Sequence, residues 1–155
     1  MPKPVVVPTP QSLAEMVGLE IAASDWFAVT QELIQQFADA TQDRQWIHTN
    51  RERAEEESPY GTTVAHGFLT LSLMSHLMKE AVHIEGGVRT TINYGLNRVR
   101  FPAPVRAGAK VRARFVLQSL REVAGAVEAV YGATVEVEHA EKPCCVAEWI
   151  VRYYP

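Results

Sequence analysis

VAHGFLTLSLMSHLM, residues 64–78, is the stretch on which the fold turns. Phe68, Leu69, Leu71, Leu73, Met74, Leu77 and Met78 leave it almost no polar face. It therefore reads as a helix that starts near His66–Gly67, runs to about Val82, and is enclosed by the rest of the protein. Polar residues at His66, Ser72, Ser75 and His76 interrupt the run, and it is too short to span a bilayer. Gly86–Gly87 closes this helical half of the chain.

Downstream of it the hydrophobic period changes from helical to two. Val111, Ala113, Phe115 and Leu117 alternate with Lys110, Arg112 and Arg114. Val127, Ala129, Tyr131, Ala133, Val135 and Val137 form a second such set, and Cys145, Ala147, Trp149, Val151 and Tyr153 a third. Turns fall at Pro102/Pro104, Gly108, Gly125 and Pro143. Three or more antiparallel strands after one buried helix give an α+β domain with the sheet wrapped around that helix. Upstream, four prolines in the first ten residues predict an irregular arm over 1–12, and Gln11–Val17 reads as a short helix ended by Gly18. Ile21–Val29 is extended. Thr30 caps a helix over Gln31–Ala40, and Thr49–Asn50 opens a charged one over Arg51–Glu57. No linker or repeat divides the chain, so 1–155 is read as one domain.

A chain of 155 residues buries a substantial core without metals or disulfides. With 47% hydrophobic and 21% charged residues and a net charge of −3, it has no overall basic excess for nucleic acid. The local basic run Arg98, Arg100, Arg106, Lys110, Arg112 and Arg114 reads first as the solvated face of a strand pair. Its second reading is a landing site for a phosphorylated ligand such as a coenzyme A nucleotide. Cys144 and Cys145 are adjacent and suit neither an ordinary disulfide nor a metal set. That, with the absence of a secretory signal and of a membrane span, leads to the expectation of a reduced, cytoplasmic protein that engages no membrane.

The residues able to do chemistry lie between the helices. TQDRQWIH, residues 41–48, sets Asp43 and His48 five positions apart, which on a continuous helix would point them away from each other. On a turn leaving a helix they converge, and a carboxylate and an imidazole sharing a water are suited to acid–base work. Spacing alone favours the plainer reading, an aspartate capping a turn and a histidine packed on Trp46. His66–Gly67 falls where a helix opens, with free N–H groups to stabilise an enolate oxygen; taken alone, a glycine for tight helix entry with His66 capping or packing locally is the favoured reading. Ser72 either bonds back to a carbonyl one turn earlier or reaches the water or the pair. There is no GxSxG elbow, glycine-rich phosphate loop or HExxH set.

Together these segments resemble the MaoC-like dehydratase family, which includes the (R)-specific enoyl-CoA hydratases. The run that carries the resemblance is FADATQDRQWIHTNRERAEEESPYGTTVAHGFLTLSLMS, from Phe37 to Ser75. QWIH and NYGLNRVRFPAPVRAG, residues 93–108, point to its nodulation-protein-N-like branch. The resemblance implies a hot-dog fold, a homodimer, an Asp43/His48 hydratase dyad, a substrate-binding His66–Gly67 pair, and Ser72 at the family's serine position. It also implies hydration of a 2-enoyl thioester of coenzyme A or acyl-carrier protein to the (R)-3-hydroxyacyl product, or the reverse, with no cofactor and no metal. The chain departs from the pattern at Gln42, often glycine, at Gln45–Trp46, often asparagine–proline, and at Asn50, often aspartate. A hot-dog acyl-CoA thioesterase and a non-catalytic acyl-CoA-binding protein are the alternatives.

Overall fold

The computed structural model describes residues 2–155. In chain order the elements are β1 (Val5–Val7), a 3-10 turn (Pro10–Met16), β2 (Glu20–Ala23), β3 (Phe27–Ala28), α1 (Gln31–Thr41), α2 (Trp46–Thr49) and α3 (Arg51–Glu57). Then come α4 (Gly67–Ser72), α5 (Met74–Ala81), β4 (Val82–Ile84), β5 (Thr90–Arg100), β6 (Lys110–Val123), β7 (Ala126–Val137) and β8 (Cys145–Tyr154). The expected caps form: the Thr30 hydroxyl accepts from the Leu33 N–H at 3.1 Å, and the Asn50 side chain from the Arg53 N–H at 3.1 Å.

The main sheet is antiparallel in the order β2-β6-β7-β8-β5, with β3 also paired to β6. The three alternating sets supply its inner face. Ala113, Phe115, Leu117, Ala129, Tyr131, Val135 and Val151 are all buried there, against Met74, Leu77, Met78 and Ala81 of α5 and Leu69 of α4. Phe115, Tyr131 and Trp149 form an aromatic cluster at its centre, and the Tyr131 and Tyr153 hydroxyls share a hydrogen bond of 2.6 Å. A sheet curled over a two-segment helix places the start of α4 at one end, where α1 and α2 come up beside it.

Two expectations need correcting. The arm is not irregular throughout: Val5–Val7 pairs in parallel with Val82–Ile84, and Pro10 begins the 3-10 turn. Three β-branched valines in a row favour the strand, and the prolines that suggested irregularity lie outside it. The central helix is not enclosed on all sides. Leu69, Thr70, Met74, Leu77, Met78 and Ala81 are buried, whereas Phe68 is 68% exposed. β5 is an edge strand, open on nearly every residue and broken by two register shifts. Its sequence alternates Ile92, Tyr94 and Leu96 with Asn93, Gly95 and Asn97, and the apolar set stands exposed at the open edge. No helix among the described residues is long and apolar enough to cross a membrane.

Candidate active site

α1 ends at Gln42, whose φ of 64° lies in the left-handed region. A residue with a Cβ is disfavoured there by about 1–2 kcal/mol. Side-chain bonds hold it: Gln42 Nε2 donates to the Asp39 carbonyl at 2.8 Å, and Arg44 donates to Gln42 Oε1 at 2.7 Å. The reversal turns the chain back toward the start of α4, so that Asp43 and the single turn α2, which carries His48, meet His66 there. One ligating atom from each of Asp43, His48 and His66 lies within 4.8 Å of the other two.

Hydrogen bonds assign the imidazoles. His48 Nδ1 lies 2.6 Å from the Val64 carbonyl, so it carries the proton and donates it. Nε2 is then left with a lone pair in the neutral ring. Desolvation lowers the His48 pKa below 6.5, aided by the neighbouring His66 ring and opposed by the Val64 bond and the Asp43 charge. His66 Nε2 donates to the Asp43 carbonyl at 2.9 Å, tying the two halves of the site together. Its Nδ1 is buried without a partner. The two rings stack at 3.7 Å between centroids, 23° from parallel, and Phe37 packs on His66 at 4.9 Å.

The same three side chains are the set among the described residues that could hold a metal ion. Their geometry argues against a cage. Near-parallel stacked rings hold their lone pairs in near-parallel planes, so a cation in the plane of one ring lies out of the plane of the other.

A cavity of about 420 Å³ opens over the cluster, lined by Asp43, His48, His66 and Gly67, with Phe37, Thr41, Phe68 and Phe101 as further walls. The N–H groups of Gly67 and Phe68 begin α4 and have no preceding helical carbonyl to bond. Gly67 is required by packing: a Cβ there would stand 2.9 Å from Cγ of Phe101. Phe101 follows β5 from far along the sequence, and nothing in the hydrophobic periodicity connects it with the cluster.

Ser72 is not brought to the pair. Its hydroxyl donates to the Phe68 carbonyl at 2.7 Å, and the residue lines a different recess with Ser75, Asn93 and Trp149. Back-bonding within the helix, the plainer alternative, is what forms. Of the basic run, Arg112 pairs with Glu136 at 2.7 Å and Arg114 with Glu20 at 2.6 Å, as a solvated sheet face requires. Burial pushes the Cys144 thiol up to about 12 and Cys145 to about 11, so neither is a nucleophile in the folded chain.

A curled antiparallel sheet around a central helix is the hot-dog fold. The chain superposes on the unliganded R-hydratase of Pseudomonas aeruginosa with a TM-score of 0.71, at 20% identity, over 95% of this chain and 86% of that one. The family model described as "MaoC like domain" matches residues 12–139, and the chain belongs to that family. It is 51% identical to the 3-hydroxyacyl-thioester dehydratase Z of Mycobacterium tuberculosis, over 91% of this chain and 93% of the relative. It is also 45% identical to nodulation protein N of Rhizobium leguminosarum bv. viciae, over 90% and 89%. The chain is an enzyme, a hydro-lyase.

Proposed function

We propose that this enzyme adds water across the double bond of a 2-enoyl-CoA to give the (R)-3-hydroxyacyl-CoA, or removes it in reverse, with Asp43 and His48 as the reacting pair. The observation that carries the reading is the state of His48. Nδ1 donates to the Val64 carbonyl and burial favours the neutral ring, so Nε2 keeps its lone pair, and a ring nitrogen of His48 lies within 4.8 Å of an Asp43 carboxylate oxygen. A span of up to 4.8 Å is one that a single water bridges with two hydrogen bonds of ~2.8 Å.

Such a water donates one hydrogen to Asp43 and one to His48 Nε2 and turns its oxygen toward C3. As the C3–O bond forms, its proton passes to Nε2 and the π electrons move onto the thioester oxygen as an enolate. The Gly67 N–H faces that oxygen. The imidazolium, stabilised by Asp43, returns the proton to C2 on the same face, and the sum is syn addition of one water. His48 is thus base first and acid second. It has no Nε2 proton to deliver until it has taken one, which supports His48 rather than Asp43 as the base. The (R) outcome and the thioester substrate are supported by the relatives' names and the shared family. Arg98 and Arg100, exposed just before the pocket residue Phe101, are the members of the basic run proposed to meet coenzyme A phosphates.

A second copy of the chain completes the proposal. β5 is an open sheet edge bearing exposed Ile92, Tyr94 and Leu96, and Phe68 stands out from the adjacent helix; apolar edges of this kind are ordinarily covered.

The test follows enoyl-thioester absorbance over a series of acyl lengths with wild type, Asp43→Asn and His48→Ala. Both variants are expected to lose about 10²–10⁴-fold in kcat. Undiminished hydration in both removes the pair from the mechanism. Free thiol released in step with turnover, read with a thiol-trapping dye, would make the enzyme a thioesterase instead.

A further inference from the structure

α2 is a helix of four residues, Trp46–Thr49, too short to hold its own shape, yet it carries the imidazole on which the proposed chemistry depends. Its hydrogen bonds to distant segments are therefore informative. Gln31, the first residue of α1, donates from Nε2 to the His48 carbonyl at 2.8 Å, satisfying an acceptor that the end of a short helix leaves open. The other end of the same amide, Gln31 Oε1, accepts from the hydroxyl of Thr63. Thr63 is buried at 1% exposure, so its hydroxyl has no access to bulk water.

Thr63 does not move independently. Its carbonyl accepts from the Ala107 N–H at 3.0 Å, and the Ala65 N–H donates to the Val105 carbonyl at 2.8 Å. Residues 63–65 are thereby tied to the segment leading into β6. They are also zipped to α2, since the Val64 N–H donates to the Ile47 carbonyl at 3.1 Å while the Val64 carbonyl receives His48 Nδ1–H. The imidazole is held from one side by Val64 and its backbone from the other by Gln31. Thr63 fixes which way the Gln31 amide faces: with the hydroxyl donating to Oε1, the NH₂ group must point at His48.

We propose that Gln31 and Thr63 are positioning residues: a hydroxyl–amide clamp that holds the His48 turn in register with Val64 and so aims Nε2 at the reacting water. Neither touches substrate. Both act through the His48 backbone. The proposal rests on the assignment of His48 above, and it makes the effect of each polar group specific. Gln31→Glu keeps the size and the acceptor toward Thr63 but cannot donate to the His48 carbonyl, so it should behave like Gln31→Leu. Thr63→Val removes only the hydroxyl, whereas Thr63→Ser restores it.

The experiment measures kcat and KM as functions of pH for these four variants and the Gln31→Leu/Thr63→Val pair, alongside NMR titration of the His48 Hε1 resonance in each. Displacement of a catalytic group by an ångström costs up to about 100-fold, so Thr63→Val, Gln31→Leu and Gln31→Glu are expected to lose about tenfold or more in kcat with KM little changed. Thr63→Ser is expected to stay within about threefold of wild type. The double variant should be no worse than the poorer single one, because the two residues act in series. In the loosened turn His48 gains solvent, and its titration should move up toward its ordinary value. The groups that face it there are Asp43 and His66. Unchanged kcat and unchanged His48 titration in Thr63→Val overturn the clamp, as does full activity in Gln31→Glu. A wild-type protein inert toward every enoyl thioester would instead overturn the assigned reaction; the NMR titration then judges the clamp by itself.

Discussion

The rings of His48 and His66 stack face to face at 3.7 Å, and each donates to a backbone carbonyl, that of Val64 and that of Asp43. Two imidazoles so close repel each other when charged. This joins desolvation in keeping His48 neutral.

The pH dependence follows from that stack. The folded-state pKa of His48 lies below 6.5, so between the two values the folded chain binds fewer protons than the unfolded one. Its contribution to stability is present above pH 6.5 and is lost as the pH falls from there through the lowered value. Activity should fall on the acid side, with the His48 limb of kcat/KM below 6.5 and matched by its NMR titration. A His48 limb above 6.5 contradicts the assignment.

Gly67 and Phe101 constrain each other. Gly67→Ala brings a Cβ to 2.9 Å from the Phe101 ring, and such overpacking costs about 1–3 kcal/mol. Denaturant unfolding should show that loss. In Gly67→Ala/Phe101→Ala the ring is gone, so the penalty should be less than the sum of the two single changes. Strict additivity would mean that the ring is free to move aside.

Gln42 occupies a conformation that glycine adopts freely. Gln42→Gly relieves about 1 kcal/mol of left-handed strain but gives up two exposed side-chain bonds and adds chain entropy to the unfolded state. A small net gain, about 0.5 kcal/mol and visible as a slightly higher Tm, is expected with activity retained.

The β5 edge is tested by charge. Ile92→Lys/Leu96→Lys places two cations on the open strand and should weaken self-association at least tenfold in sedimentation experiments, with the monomer still folded. A wild type that sediments as a monomer at all concentrations removes the second copy from the proposal.

What the residues determined by themselves were the local elements. Period-two sets marked β6, β7 and β8 because each buries one face. Thr30 and Asn50 announced helices because a short polar side chain is what an open helix start needs. The run from Phe37 to Ser75 pointed to Asp43, His48, His66 and Gly67. It left Ser72 undecided between two partners.

Only the tertiary structure decided how those residues meet. The convergence of Asp43, His48 and His66 depends on a left-handed turn at Gln42, a conformation that glutamine's identity does not announce. Which nitrogen of His48 is free depends on a carbonyl sixteen residues away. Phe101 enters the pocket wall, and Ser72 is turned from it, through packing between segments distant in sequence. Such contacts are set by the closure of the sheet over its helix, and no periodicity within a single segment records them.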